Sequence, residues 1–350
     1  MDGEARFVGR AAGRGFRLGI EEVSTPAAAK SLNRAGRRLV VIHADAGWID
    51  PVRDGADGFW PKLVGELAHQ GVEARLVKAR SKPAEILREP GTEHIHVMMG
   101  DMPGYGPDTL HVEQGYIVGF WYLDEIGVFW NSSLRLSQFC PERVHRGHAE
   151  YFFNGVAGWM LRENVSKAPQ PARMPGFLEP AHAVVFTQEI EGLRNRAHYL
   201  GNEQMIRTTA EFDRSKLVYV KLHPGQSKAA RRDLMAVAQD YQNVRVSEAS
   251  VHDLIEAARV VVTQNSGAGF EALMQKKTVV TCGKSDYRHA TLTAKTAGDL
   301  RDALDYGPDA MEGFPYEKFF YWFLHRNMLE EAKSNFAARA VARIREKTFL

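Results

Sequence analysis

The chain has 350 residues, 44% of them apolar and 25% charged, the balance of a soluble protein with room for two domains. Lys and Arg number 45 against 43 Asp and Glu, so no bulk charge calls for a nucleic-acid partner. No apolar run reaches the ~18 residues that span a bilayer, the opening segment has no secretory apolar core, and Cys140 and Cys282 lie far apart without metal-ligand spacing. A cytoplasmic protein with reduced thiols and no metal is expected.

Residues 1–36 read as a polar extension with a short helix near Pro26–Leu32. Leu39–His43 is the first strand; Phe59, Leu63, Val64 and Leu67 then follow helical spacing until Gly71. Val72–Val77 is a strand, Pro83–Leu87 a short helix and Ile95–Met99 a third strand, the alternation of a parallel, doubly wound sheet. Between Asp101 and Arg173 the pattern loosens. Gly115–Tyr122 is rich in aromatics, for which buried packing outweighs stacking on a base. His145–Leu161 reads as a helix, and the Pro-rich run Ala168–Pro180 as an interdomain linker.

A second alternation follows. Ala183–Phe186, Leu217–Leu222, Val244–Val246, Val260–Val262 and Thr278–Thr281 read as strands, with helices over Asn202–Phe212, after Ser227, and over Val251–Ala258, where Ser250 and Asp253 suggest a capping box. The expected fold is α/β, with two Rossmann-like doubly wound domains facing a central cleft. The expected divisions are an extension over 1–36, a domain over 37–172, a second over 173–312 and closing helices over 313–350.

Two loops of the second half carry chemistry. Lys221-Leu222-His223-Pro224 ends a strand, and Ser227 can cap the next helix, so His223 and Pro224 stand at the carboxyl edge where ligands collect in open α/β sheets. After Val260–Thr263 come Gln264-Asn265-Ser266-Gly267-Ala268-Gly269-Phe270-Glu271. Gly267 and Gly269 allow close backbone approach, and a helix start favours an anion. Asn265 and Ser266 add short donors, and Glu271 lies one turn on, within reach of ribose hydroxyls. No Lys-Ser or Lys-Thr follows the glycines, so this is not a Walker loop. Packing alone would also use such glycines, but the two loops together favour a nucleotide-phosphate site.

Lys221–Pro224, His252-Asp253-Leu254, Val262–Gly267 and Glu271-Ala272-Leu273, with Gly283 and Tyr287, resemble the bacterial capsule polysaccharide biosynthesis and export family. Glu113–Tyr116, Gly127-Val128 and Asn131-Ser132-Ser133 resemble its N-terminal signature, so the likeness extends over roughly residues 38–330. The resemblance implies a GT-B-type glycosyltransferase, of the kind that includes CMP-Kdo-dependent β-Kdo transferases. It also implies that His223 and Pro224 hold the donor nucleotide, with Asn265 and Ser266 near its phosphate. The family pattern has an acidic cluster with an Asp after a strand-ending Gln. Here Gln188 is followed by Glu189-Ile190-Glu191-Gly192.

Transfer from a CMP-activated sugar needs donors at the departing phosphate and a carboxylate near the anomeric carbon, as nucleophile or base. The carboxylate candidates are Glu191, Glu189, Asp124 and Glu125; the nucleotide-site candidates are His223, Pro224, Lys221, Asn265, Ser266, Gly267, Gly269 and Glu271. No cofactor is expected, the nucleotide-sugar donor being a substrate. Expected partners are that donor, a lipid or glycan acceptor and capsule assembly proteins. Phe319–Leu324 with the basic helix after it suits a crossing helix, or peripheral contact with the inner membrane face. Competing readings are a CDP-polyol phosphotransferase of the teichoic-acid type, a sugar-nucleotide epimerase, and a non-catalytic capsule assembly or export partner with the same fold.

Overall fold

The two βαβ alternations of the sequence become parallel sheets in the computed structural model, which describes residues 19–100, 106–193 and 196–348. Expectations placed on residues 1–18 and on Asp101 lie outside these. The chain divides into two compact units, Met1–His96 and Val97–Leu350.

The first unit contains β1 (Glu21–Glu22), α1 (Pro26–Arg34), β2 (Val40–Ala44), α2 (Ile49–Asp54), α3 (Phe59–His69), β3 (Ala74–Lys78) and α4 (Lys82–Leu87), and β4 (Ile95–Met99) runs across its end. β3 pairs in parallel with both β1 and β2. All five residues of β2 are buried, as in a parallel strand covered on both faces. Thr25 caps α1 by accepting from the Ala28 amide, with Pro26 in the first turn where its missing N–H costs nothing. Val23 and Ala29 join Leu39, Val41 and Val77 in one core. From Gly19 onward, therefore, the segment expected as a polar extension is folded into this unit, because it supplies an edge strand and a covering helix.

The second unit opens with the antiparallel pair β5 (Thr109–Gln114) and β6 (Phe120–Asp124), then α5 (Arg146–Arg162). There follow β7 (Ala181–Phe186), α6 (Asn202–Phe212), β8 (Val218–Lys221), α7 (Lys228–Gln239), β9 (Val244–Val246), α8 (Val251–Ala257), β10 (Ala258–Thr263), α9 (Gly267–Met274), β11 (Thr278–Thr281), β12 (Leu292–Thr293) and α10 (Ala297–Ala310). It closes with α11 (Tyr316–Phe320), a π-helical turn, β13 (Leu329–Glu330) and α12 (Phe336–Thr348). The six strands β7 to β12 form a parallel sheet in the order β9-β8-β7-β10-β11-β12. The chain thus winds outward from β7, returns, and winds outward again from β10. In such sheets the crevice at the reversal, here between the carboxyl ends of β7 and β10, receives ligands.

The aromatics of 115–122 are packing groups, as expected: Tyr116 stacks on Phe270 at 5.0 Å, and Tyr116, Phe120 and Tyr122 lie in one core with Phe319, Phe320 and Phe323. The C-terminal segment returns to this region. β13 pairs with β6, and Lys347 meets Glu125 at 2.7 Å. Within its aromatic run Phe319, Phe320, Trp322 and Phe323 are buried and Tyr321 is half-buried. Among the described residues no helix is long and apolar enough to cross a membrane.

The Pro-rich run lies inside the second unit, pinned to α8. Arg173 pairs with Asp253 at 2.9 Å and Glu256 at 2.7 Å, and Gln170 Oε1 accepts from the Val251 amide. This use of Asp253 overturns the expected capping box: Ser250 Oγ accepts from the His252 amide, and Asp253 faces Arg173 and the Met174 amide. A reciprocal box forms instead between Thr296 and Asp299 at the start of α10.

Candidate functional site

At the carboxyl edge of the second-unit sheet, the two loops singled out in the sequence share one cavity of about 350 Å³. Its walls include Lys221, His223 and Pro224 beyond β8, and Ser266, Gly267 and Glu271 at the start of α9. Residues Ser166–Pro171 close a third side. The Pro-rich run thus reaches the site through its first residues.

The loop after β8 is held from within by the side-chain amide of Gln226. Gln226 Oε1 accepts from the His223 amide and Thr187 Oγ1, while Gln226 Nε2 donates to the Gln188 carbonyl. Gly225 N–H donates to His223 Nδ1 at 3.0 Å. A neutral ring therefore carries its proton on Nε2, and desolvation holds the imidazole below its ordinary pKa. His223 so presents a neutral N–H donor. Lys221 has its ammonium donors engaged by backbone, Nζ donating to the carbonyls of Ala249 and Glu248.

On the other wall Ser266 caps α9, its Oγ accepting from the Ala268 amide, and Tyr287 Oη donates to the Ser266 carbonyl at 2.8 Å. A Cβ on Gly267 would meet nothing nearer than Tyr116 at 3.8 Å, so this glycine leaves space at the helix start. Gly269 has another task. Its added Cβ would stand 2.8 Å from both Thr263 and Tyr287 Oη, so this glycine serves close packing and does not line the cavity. Asn265 spans β10 and the next loop, its Nδ2 donating to the Lys284 carbonyl and its Oδ1 accepting from Gln188 Nε2. It lines a neighbouring cavity of about 260 Å³ with Trp130 and Gln188.

Glu271 is buried at the cavity wall. Ser166 Oγ donates to its Oε1 at 2.8 Å, and its Oε2 has no partner among the described residues. Burial pushes the carboxyl up to about 8, against the nearby Lys167, whose own pKa burial lowers. With its carboxyl at about 8, Glu271 is mostly protonated at neutral pH, and it has a polar oxygen without a partner among the described residues.

The four expected carboxylates stand elsewhere, each tied into the fold. Glu189 accepts from the amide and hydroxyl of Ser227, at the start of α7. Glu191 accepts from the Asn202 amide at 2.6 Å, at the start of α6, and from Gln264. Asp124 accepts from the amides of Ile126, Gly127 and Ser133 and from Ser133 Oγ, bracing the turn after β6. Glu125 is the partner of Lys347. Negative charge at a helix start satisfies free amides and the dipole, which is why acids collect there.

One organising residue escaped sequence reading. Asp286, in the loop after β11, is fully buried and accepts from Tyr116 Oη at 2.8 Å, Tyr122 Oη at 2.7 Å and Ser132 Oγ at 2.9 Å. Burial raises its carboxyl to about 7. It lies between Gly283 and Tyr287 in the sequence, yet its partners are more than a hundred and fifty positions away. Gly283 itself admits no side chain, as a Cβ would come within 2.9 Å of the Ala197 carbonyl. Among the described residues no group of His, Cys, Asp and Glu is arranged to hold a metal ion.

Residues 196–306 match a family model described as capsule polysaccharide biosynthesis protein. No curated protein matches the chain. Among solved structures the chain is similar to two β-Kdo transferases, both KpsC of Thermosulfurimonas dismutans. The 2,7 transferase is 14% identical over 76% of this chain and 89% of that one, with a TM-score of 0.49. The 2,4 transferase is 18% identical over 77% and 90%, also at 0.49. The UDP-GlcNAc 2-epimerase of Methanocaldococcus jannaschii is 11% identical over 88% of this chain and 99% of its own, with a TM-score of 0.36. The segment that matches the capsule polysaccharide biosynthesis model runs from the approach to α6 into α10 and includes both loops of the cavity.

Proposed function

We propose that the protein is a glycosyltransferase of capsular polysaccharide assembly that takes a sugar from a CMP-activated donor and passes it to a glycan or lipid-linked acceptor. The observation that carries this reading is the shared cavity. The His223-Pro224 loop and the start of α9 converge on one space beside the β7/β10 reversal, next to a buried, proton-bearing Glu271.

In this reading the donor phosphate rests at Ser266–Ala268, where the α9 dipole favours negative charge. His223 Nε2–H donates to the same phosphate. As the bond from sugar to phosphate breaks, charge grows on the departing nucleotide, and these donors, already oriented, stabilise it without reorganising. The protonated Glu271 and Ser166 hydroxyl offer hydrogen bonds to ribose hydroxyls. A neutral acid suits this place, because a second negative charge would repel the phosphate.

The test is a melting-temperature screen of the full chain with CMP, CDP-glycerol and UDP-GlcNAc. CMP at 100 times its dissociation constant should stabilise the protein by about 2.7 kcal/mol, and incubation with CMP-Kdo and an acceptor should release CMP. A shift with CDP-glycerol and none with CMP would replace this reading by polyol-phosphate transfer. No response to CMP at millimolar concentration would end it.

A further inference from the structure

The Glu271 cavity continues sideways along the sheet edge. It shares Lys167 and Gly267 with the cavity of about 260 Å³, which in turn shares Trp130 with a third cavity of about 410 Å³. The third differs in its chemistry. Arg135, Lys284, Arg288 and Lys295 line it, together with the rings of Trp130 and Tyr199. Every other lining group is neutral. None of the four cations forms an ion pair among the described residues. For a chain with a net charge of only +2, four unpaired cations around one cavity are a local concentration, not a general excess.

The cations are also held in place. Arg288 donates through Nε and Nη2 to the Arg135 carbonyl, at 3.3 and 3.1 Å, which fixes its guanidinium at the wall. Lys284 Nζ lies 5.7 Å from the centre of the Trp130 ring, and Lys295 Nζ 5.9 Å from that of Tyr199. Such cation–ring contacts leave the ammonium charge uncancelled. Arg135 Nε is buried without an acceptor among the described residues. Like charges gathered so closely repel one another, and an anion relieves that cost. Aromatic walls beside charged donors suit the apolar faces of a pyranose that also bears a carboxylate.

We propose that this cavity binds an acidic saccharide of the acceptor glycan, one carrying carboxylates. The proposal rests on the glycosyltransferase reading, which places the donor at the first cavity and leaves the third, beyond Trp130, to the acceptor side. The site consists of Arg288, Lys284 and Lys295 around the carboxylate, with Trp130 and Tyr199 against the ring.

The full chain is titrated with trigalacturonate and with the neutral trisaccharide maltotriose, followed by calorimetry and by tryptophan fluorescence. Trigalacturonate should bind and maltotriose should not. Lys284→Ala with Lys295→Ala, both exposed side chains, should weaken trigalacturonate at least tenfold and leave the CMP-induced melting shift unchanged, whereas Lys284→Arg with Lys295→Arg should restore binding. Equal binding of the two trisaccharides, or no loss in the double Ala variant, overturns the proposal. In turnover assays the double Ala variant should raise KM for the acceptor alone. A rise confined to KM for the CMP-sugar would assign the cavity to the donor's own sugar acid and overturn the acceptor assignment. Binding of duplex DNA or anionic phosphatidylglycerol vesicles in place of trigalacturonate would overturn it too. If CMP fails to shift the melting temperature while trigalacturonate binds, the donor reading falls and the saccharide site stands.

Discussion

Two buried carboxyls sit near the carboxyl edge of the same sheet, and they differ in what surrounds them. Asp286, behind the site, receives three hydroxyls from the 116–132 segment, and both its oxygens are used. Glu271, at the wall of the cavity, receives one hydroxyl and keeps Oε2 unmet. Both have raised pKa values because burial penalises the charged form. The difference lies in satisfaction. A buried acid with both oxygens engaged joins parts of a fold, while one whose oxygen lacks a partner at a cavity wall is a candidate for a ligand contact.

The sharpest way to break this comparison is to remove each acid. Asp286→Ala leaves three buried hydroxyls without an acceptor, so it should cost ~3 kcal/mol or more and lower the melting temperature by several degrees. Glu271→Gln should keep the fold and weaken CMP binding. The same pair gives a pH signature. Folding raises Glu271 from its ordinary 4.5 to about 8, so the folded protein holds a proton that the unfolded chain releases. Stability from this group is full below pH 4.5 and is lost as pH rises through 8. Melting curves of Glu271→Gln should therefore be flatter over that window. Parallel curves for variant and wild type would contradict the assigned proton.

A second contrast concerns the two glycines of α9. Gly269→Ala places a Cβ 2.8 Å from Thr263 and Tyr287 and should cost about 1–3 kcal/mol by overpacking. Gly267→Ala meets only Tyr116 at 3.8 Å, so it should melt as the wild type does and lose CMP affinity instead. A Gly267→Ala protein that binds CMP normally would move the phosphate away from this helix start.

His223 lies in an exposed loop, and its Nδ1 accepts from the Gly225 amide. His223→Ala should leave the melting temperature of the free protein unchanged and weaken CMP about tenfold, ~1.4 kcal/mol. The smallest effects belong to Glu189 and Glu191. Each serves a helix start, so Glu189→Gln and Glu191→Gln should each cost ~0.5–1 kcal/mol and spare CMP binding. A Glu191→Gln variant with unchanged melting and abolished transfer would instead make Glu191 the reacting carboxylate.

The strands and helices of the second unit were legible because their signals are local. Val260–Val262 and Thr278–Thr281 are short apolar runs, Asn202–Phe212 has helical period, and Ser227 and Ser266 are cap residues in place. The convergence of His223 with Ser266 and Glu271 was also legible, since strand-to-helix loops of a parallel sheet emerge on one edge. Side-chain partners were not. Nothing local distinguishes Asp253 as a capping residue from Asp253 as the partner of Arg173, eighty positions away. The Pro-rich run read as a linker because prolines disfavour regular structure, but whether such a run hangs free or packs is decided by its distant contacts. The basic third cavity takes residues from four separate stretches, each with an ordinary number of charges. Sequence alone thus determined which segments form the sheet and which loops reach its carboxyl edge, because pattern and capping act within a few residues. Only the tertiary structure decided which acids are staples, which one keeps a free oxygen and where the cations gather, because burial and hydrogen-bond satisfaction depend on chain segments far apart in sequence.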